Sequence, residues 1–153
     1  MQIRDANHED IAAIQALLPL LASFEVPASR NPEHLWRGDE QILLDWGAGD
    51  RSDMIVRVAV HDGRVTGAII VTLREEMMSH EPSAHLEVVV VSEDAQGGGL
   101  GKQLMSDAET QARSRGAKGI TLHVFGVNSK ARAMYDRLGY DPEIIRYSKT
   151  FES

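Results

Sequence analysis

The 153-residue chain contains no cysteine. That excludes a disulfide framework, a thiol nucleophile and a thiolate-held metal. It also holds no apolar run approaching the ~20 residues that a membrane helix needs. The opening MQIRDANHEDIAA carries acidic residues at once and lacks the basic-then-apolar layout of a secretory signal. An excess of positive charge is missing too. Sixteen Lys and Arg against 23 Asp and Glu leave a net charge of −7, which argues against a nucleic-acid surface. Such a charge fits a cationic second ligand, and equally an ordinary cytoplasmic protein. The expectations are therefore a cytoplasmic location, no membrane and no nucleic acid. What is present, 42% hydrophobic and 25% charged residues, is the composition of a folded chain. The length suits one domain spanning residues 1–153.

Met1–Arg4 reads as a short strand. Ile11, Ile14, Leu17, Leu18 and Leu21 recur at helical spacing behind Asn7 and Asp10 as caps, which predicts a helix over 8–23. After the loop VPASRNP, Pro32 suits the first turn of a second helix over 32–46. Strands are predicted at 53–61 and 64–73, joined by the hairpin turn HDGR, and a third at 84–91. Leu100, Leu104, Ala108 and Ala112 mark the face of a helix that Gly116 stops. A strand over 119–125, a helix between Asn128 and Gly139, and a strand over 143–151 complete an α/β chain ordered β-α-α-β-β-β-α-β-α-β.

Four glycines interrupt this pattern in DAQGGGLGKQ, directly behind HLEVVVV. Glycine loses the most backbone freedom on folding, so the cluster needs either a hinge or a loop that wraps a ligand closely. A strand, a glycine loop and a helix N-terminus together make an anion site. The Walker A pattern G-x-x-x-x-G-K-S/T fails, because Gln96 and Gln103 stand at its first and hydroxyl positions. The dinucleotide pattern G-x-G-x-x-G fails at Lys102 or Leu104. The pattern Q/R-x-x-G-x-G/A fits at Gln96, Gly99 and Gly101. Downstream, NSKARAMYDRLGY matches N-x-x-A-x-x-F/L/M-Y-x-x-x-G-F/Y at every fixed position.

With both motifs at this spacing, and with this element order, the chain resembles the GNAT superfamily of N-acetyltransferases. The resemblance is specific from about 84 to 140 and loose over the first 50 residues. It implies the GNAT fold, a single mixed and mostly antiparallel central sheet flanked by helices, with acetyl-coenzyme A as co-substrate and no metal. It implies that Gln96, Gly97, Gly98, Gly99, Leu100, Gly101 and Lys102 form the pyrophosphate loop. Asn128 would serve both as helix cap and as partner of the pantetheine arm, with Lys130 and Arg132 as phosphate candidates. Val89, Val90 and Val91 would act through backbone groups freed where the strand splays from its neighbour. Tyr135 falls at the position whose phenol protonates the departing thiolate, while Tyr140 reads as a core aromatic.

Acetyl transfer also requires an amine of pKa ~10 to lose a proton. Glu87 is the one carboxylate in the strand 84–91, an expensive place for a charge that is not solvated or paired. The resemblance points to it as the group that draws this proton. His85, two residues away on the same strand face, is an auxiliary candidate. The acceptor wall falls in the first two helices and their loop, with Phe24, Glu25, Trp36 and Glu40 as candidates. The expected partner is a small-molecule amine, a protein amino terminus being the other possibility, and a homodimer is allowed. A non-catalytic acyl-coenzyme A binding module on the same fold is the alternative, which the presence of both Glu87 and Tyr135 disfavours.

Overall fold

The computed structural model describes residues 1–152. A five-stranded sheet runs in the order β1 (Gln2–Asp5), β2 (Met54–His61), β3 (Arg64–Glu75), β4 (Pro82–Val91) and β5 (Ile120–Leu122). The first four are antiparallel neighbours, and β5 lies parallel to β4. The β2–β3 hairpin turns at Asp62 and Gly63, both at positive φ, as the tight turn HDGR requires.

Helices cover both faces of the sheet. The expected first helix is three joined pieces: a 3-10 turn His8–Asp10, α1 (Ile11–Leu17) and a second 3-10 stretch Leu18–Ala22, with Pro19 starting that last piece. Asn7 and Asp10 close its start as a capping box. The second is a 3-10 turn Pro32–Leu35 followed by α2 (Arg37–Gly47). Ile14, Leu18 and Leu43 from these segments pack with Val56, Val58, Ala68, Ile70, Val88 and Val90 of the sheet. On the opposite face, α3 (Leu100–Ser114) buries Leu100, Leu104, Met105, Ala108 and Ala112 against Ile55, Ile69, Val71 and Leu86. The last helix, α4 (Ser129–Arg137), leans on this second core through Met134 and Tyr135. Among the described residues, no helix is long and apolar enough to cross a membrane.

The strand expected over 143–151 does not form. Ile144, Ile145, Tyr147 and Phe151 are all well exposed. The apparent alternation is broken by adjacent Ile144 and Ile145 and by Lys149. The neighbouring edge, β5, offers only three residues for a ladder. β5 is itself shorter than the expected 119–125, because its ladder with β4 runs only from Ile120 to Leu122.

One ion pair fixes α3 to the sheet. Arg57 in β2 reaches Asp107 in α3 with two hydrogen bonds of 2.9 Å and is mostly shielded from solvent. Asp5 supplies a third bond at 2.9 Å from β1. Asp107→Ala leaves the guanidinium with one partner and is expected to cost roughly 2 kcal/mol. Urea denaturation checks this: the midpoint should fall with the slope unchanged.

Candidate active site

The site begins with an irregularity in β4. Val88 lies opposite Ile70 and Leu86 opposite Val71, so Glu87 has no partner in β3 and is the extra residue of a β-bulge. The bulge inverts the alternation of the strand. Before it, Ala84 and Leu86 face the α3 core; after it, Val88 and Val90 face the α1/α2 core.

The other edge of β4 opens at the same place. Pairing with β5 covers only Ala84–Ile120, His85–Thr121 and Leu86–Leu122. Beyond Leu86 the two strands part, and the edge from Glu87 to Val91 has no strand beside it among the described residues. Within that stretch Val89 and Val91 lean on the α3 core, and Val90 is buried on the other face.

The glycine loop stands at the end of the opened stretch. The Gln96 side-chain amide donates to the Val91 carbonyl at 3.1 Å and ties the loop to the strand. Gly97 and Gly99 adopt φ of +87° and +82°, which favours glycine strongly. Gly99 is the N-cap of α3, and no side chain caps that helix. The backbone N–H groups from Gly97 to Lys102 donate to no backbone or side chain among the described residues; bonding resumes at Gln103, to the Gly99 carbonyl. A Cβ added at Gly97, Gly98 or Gly99 would meet nothing within 4 Å. The glycines therefore serve no packing corner. Unpaired donors at the positive end of a helix, with open space before them, suit a pyrophosphate. Gly101 differs, since a Cβ there would reach the Met134 sulfur of α4 at 3.5 Å.

Asn128 caps α4 by accepting from the Ala131 N–H at 3.3 Å. Tyr135 and Tyr140 form an edge-to-face pair with centroids 5.9 Å apart, but their hydroxyls differ. Tyr140 donates to Glu109 at 2.7 Å. The Tyr135 hydroxyl has no protein partner among the described residues, and burial raises its pKa, keeping it protonated near neutral pH. Lys102 and Lys130 are exposed, while Arg132 donates to the Gly126 carbonyl at 3.0 Å and braces the segment before α4.

On the α1/α2 face, Phe24 meets Phe125 with ring centroids 5.6 Å apart. Trp36 packs into the α1/α2 core and receives the Arg37 guanidinium 4.3 Å from its ring centre. Glu25 is exposed. His85 is buried, its Nδ1 lies 2.7 Å from the Thr121 hydroxyl, and its ring contacts His123. Burial first, then the charges of Arg74 and His123, push its pKa down to about 4. It is neutral at pH 7, too weak a base there to hold an amine proton, and pins β5 to β4.

Asp39, in the first turn of α2, carries no signal in the sequence beyond an ordinary acidic first turn. In the structure it is half-buried, and burial followed by the charge of Glu87 raises its carboxyl to about 7. Nearby cations are committed elsewhere: Arg37 to Glu33 and Glu40, Arg51 to Asp53. A hollow of about 350 Å³ beside Arg74, His80 and Arg115 lies at the opposite end of β4 from the glycine loop.

The sequence profile described as the Acetyltransferase (GNAT) family matches residues 15–140. A 5-NmdU N-acetyltransferase of Pseudomonas phage PaMx11 is 36% identical over 85 residues, 56% of this chain and 56% of that protein. The chain thus matches little more than half the length of that relative. An aminoalkylphosphonate N-acetyltransferase of Salmonella typhimurium is 27% identical over 150 residues, 97% of this chain and 90% of that one. A crystal structure described as a transcriptional regulator from Bacillus halodurans C-125 superposes with a TM-score of 0.74 at 21% identity. It covers 98% of this chain and 99% of the other, a likeness of fold alone. The sheet with its parted β4 and β5, the glycine loop and the profile match agree: this chain belongs to the Acetyltransferase (GNAT) family.

Proposed function

We propose that the protein is an N-acetyltransferase that passes the acetyl group of acetyl-coenzyme A to a primary amine of a small molecule. The observation that carries this reading is the run of unpaired N–H groups from Gly97 to Lys102, set at the end of the opened β4 edge. The two N-acetyltransferase relatives support transfer to nitrogen, and the match to the aminoalkylphosphonate enzyme along nearly the whole chain favours a small acceptor.

The co-substrate supplies the activated acetyl thioester. Gly97–Lys102 hold its pyrophosphate through backbone donors and the dipole of α3. The open edge Glu87–Val91 offers N–H and C=O groups to the pantetheine arm and a donor to the acetyl oxygen as negative charge develops there. Glu87, brought out of the ladder by the bulge, takes a proton from the incoming ammonium and leaves a nucleophilic amine. Tyr135, half-buried and without a hydrogen-bond partner among the described residues, gives its phenol proton to the departing thiolate. The second proton on the newly acylated nitrogen replaces the one Tyr135 gave. Lys102 and Lys130 lie exposed near the phosphate end and add positive charge.

Gly98 offers the cleanest test of the loop. Its φ is not in the left-handed region and a Cβ there meets nothing, so a side chain disturbs only a ligand. Gly98→Val is expected to remain folded and to lose at least about tenfold in coenzyme A affinity by calorimetry. Wild-type affinity in the folded variant would make the loop a hinge.

Tyr135→Phe should leave that affinity nearly unchanged and lower turnover by about 10²–10³. Glu87→Gln should lower turnover near pH 7 and recover part of it by pH 9, where more amine is already neutral. Thiol release followed from pH 6 to 10 separates the two. Equal turnover of Tyr135→Phe and wild type would remove the phenol from the reaction.

A further inference from the structure

We propose that the segment Glu143–Phe151 is a dimerisation strand, which pairs antiparallel with the same segment of a second copy of this chain about a two-fold axis at Ser148.

The segment is apolar on one side and attached to nothing. Among the described residues, no hydrogen bond or ion pair joins residues 141–152 to the rest of the chain. Its starting point is nevertheless fixed, because the Tyr140 hydroxyl donates to Glu109 of α3. In an extended chain Ile145, Tyr147 and Phe151 share one side. They are exposed by 78%, 92% and 84%. The other side carries Ile144 with Arg146, Ser148, Thr150 and Glu152. Apolar surface of this extent, unused within one copy, marks a contact with another molecule. The chain's own edge strand, β5, has only three residues to pair with. A second tail is as long as the first, and two copies close the arrangement with two-fold symmetry.

The order of side chains selects the register. With Ser148 opposite its own counterpart, Tyr147 faces Lys149, Arg146 faces Thr150, Ile145 faces Phe151 and Ile144 faces Glu152. Opposed residues share a face of the ribbon, so Ile145, Tyr147 and Phe151 of both copies form one apolar surface. Lys149 interrupts that face within one tail, and here its ammonium meets the ring of Tyr147 of the second copy, a favourable cation–π pair. No like charges oppose each other. Centring on Arg146 or Lys149 sets two cations face to face, which is destabilising. Centring on Tyr147 sets Ile145 against Lys149 and Phe151 against Glu143. A centre between two residues mixes the apolar side of one tail with the polar side of the other.

A two-stranded ribbon alone is marginal in water and needs a surface to lie on. One stands where the tail begins. Glu143 borders a hollow of about 190 Å³ together with Glu76 and Ser79 of the β3–β4 loop and Gly119, Ile120 and Thr121 at β5. Between Glu76 and Ser79 the loop exposes Met77 and Met78, flexible side chains that adapt to an irregular partner. Each aromatic ring of a tail can bury roughly 150–250 Å². Four rings, with the isoleucines and methionines, reach the range of a stable interface, about 1,200–2,000 Å².

The test combines sedimentation velocity of the full chain with single-cysteine cross-linking. Wild type should sediment as a dimer at micromolar concentration. The double variant Ile145→Asp, Tyr147→Asp should sediment as a monomer and keep the helical circular dichroism signal, since both side chains are exposed in one copy. The chain has no cysteine, so each introduced thiol reports one position. Under oxidised glutathione, Ser148→Cys should form a covalent dimer at least about tenfold faster than Thr150→Cys, whose counterparts stand about 13 Å apart in this register, beyond disulfide reach. A monomeric wild type, a dimer that survives the double variant, or Thr150→Cys cross-linking as fast as Ser148→Cys overturns the inference.

Discussion

The structure depends on one interrupted ladder. Where Leu86 faces Leu122, β4 stops pairing with β5, and at the next residue it bulges away from β3. A strand in mid-sheet normally satisfies its backbone on both sides. Here the groups that the stretch Glu87–Val91 directs to its open edge give up that satisfaction, which is tolerable only where solvent, a side chain or a ligand supplies the missing partners. The bulge also aims a carboxylate out of a valine-rich strand. Without it, Glu87 would sit in the ladder opposite a β3 residue, and Val88 and Val90 would face the wrong core.

The surrounding elements hold this gap in register. On one face α3 is anchored by its apolar stripe and by the Arg57–Asp107 pair, which keeps its N-terminus behind the end of β4. On the other, α1, α2 and their 3-10 extensions pack on Val88 and Val90, with Trp36 against the same core. His85 closes the gap's lower end through Thr121. In the proposed reaction the glycine loop and Tyr135 serve the co-substrate, and Glu87 serves the acceptor.

Much of this was legible in the sequence because it resides in local chemistry. The glycine cluster announces backbone exposure, and Asn128 to Gly139 states a capped helix with its stop, both of which the structure contains. The stripe Leu100, Leu104, Ala108, Ala112 lies buried as its spacing requires. The bulge was not legible, because LEVVVV reads as one uninterrupted strand and the break depends on how β3 meets it. Asp39 was missed for a similar reason. An acid in a helix's first turn is commonplace, and only its burial in the folded chain makes this one unusual. The tail over 143–151 shows the converse, since an approximate alternation does not make a strand without an edge long enough to pair with.

The most direct measurement is backbone amide hydrogen exchange, residue by residue, with and without coenzyme A. The N–H groups of Gly97 to Lys102 and of the opened stretch Glu87 to Val91 should become protected on binding, while those of α2 and the exposed tail change little. Protection confined to the hollow beside Arg74, His80 and Arg115, with the glycine loop exchanging as before, would contradict the assignment of the parted strand and its glycine loop as the co-substrate site.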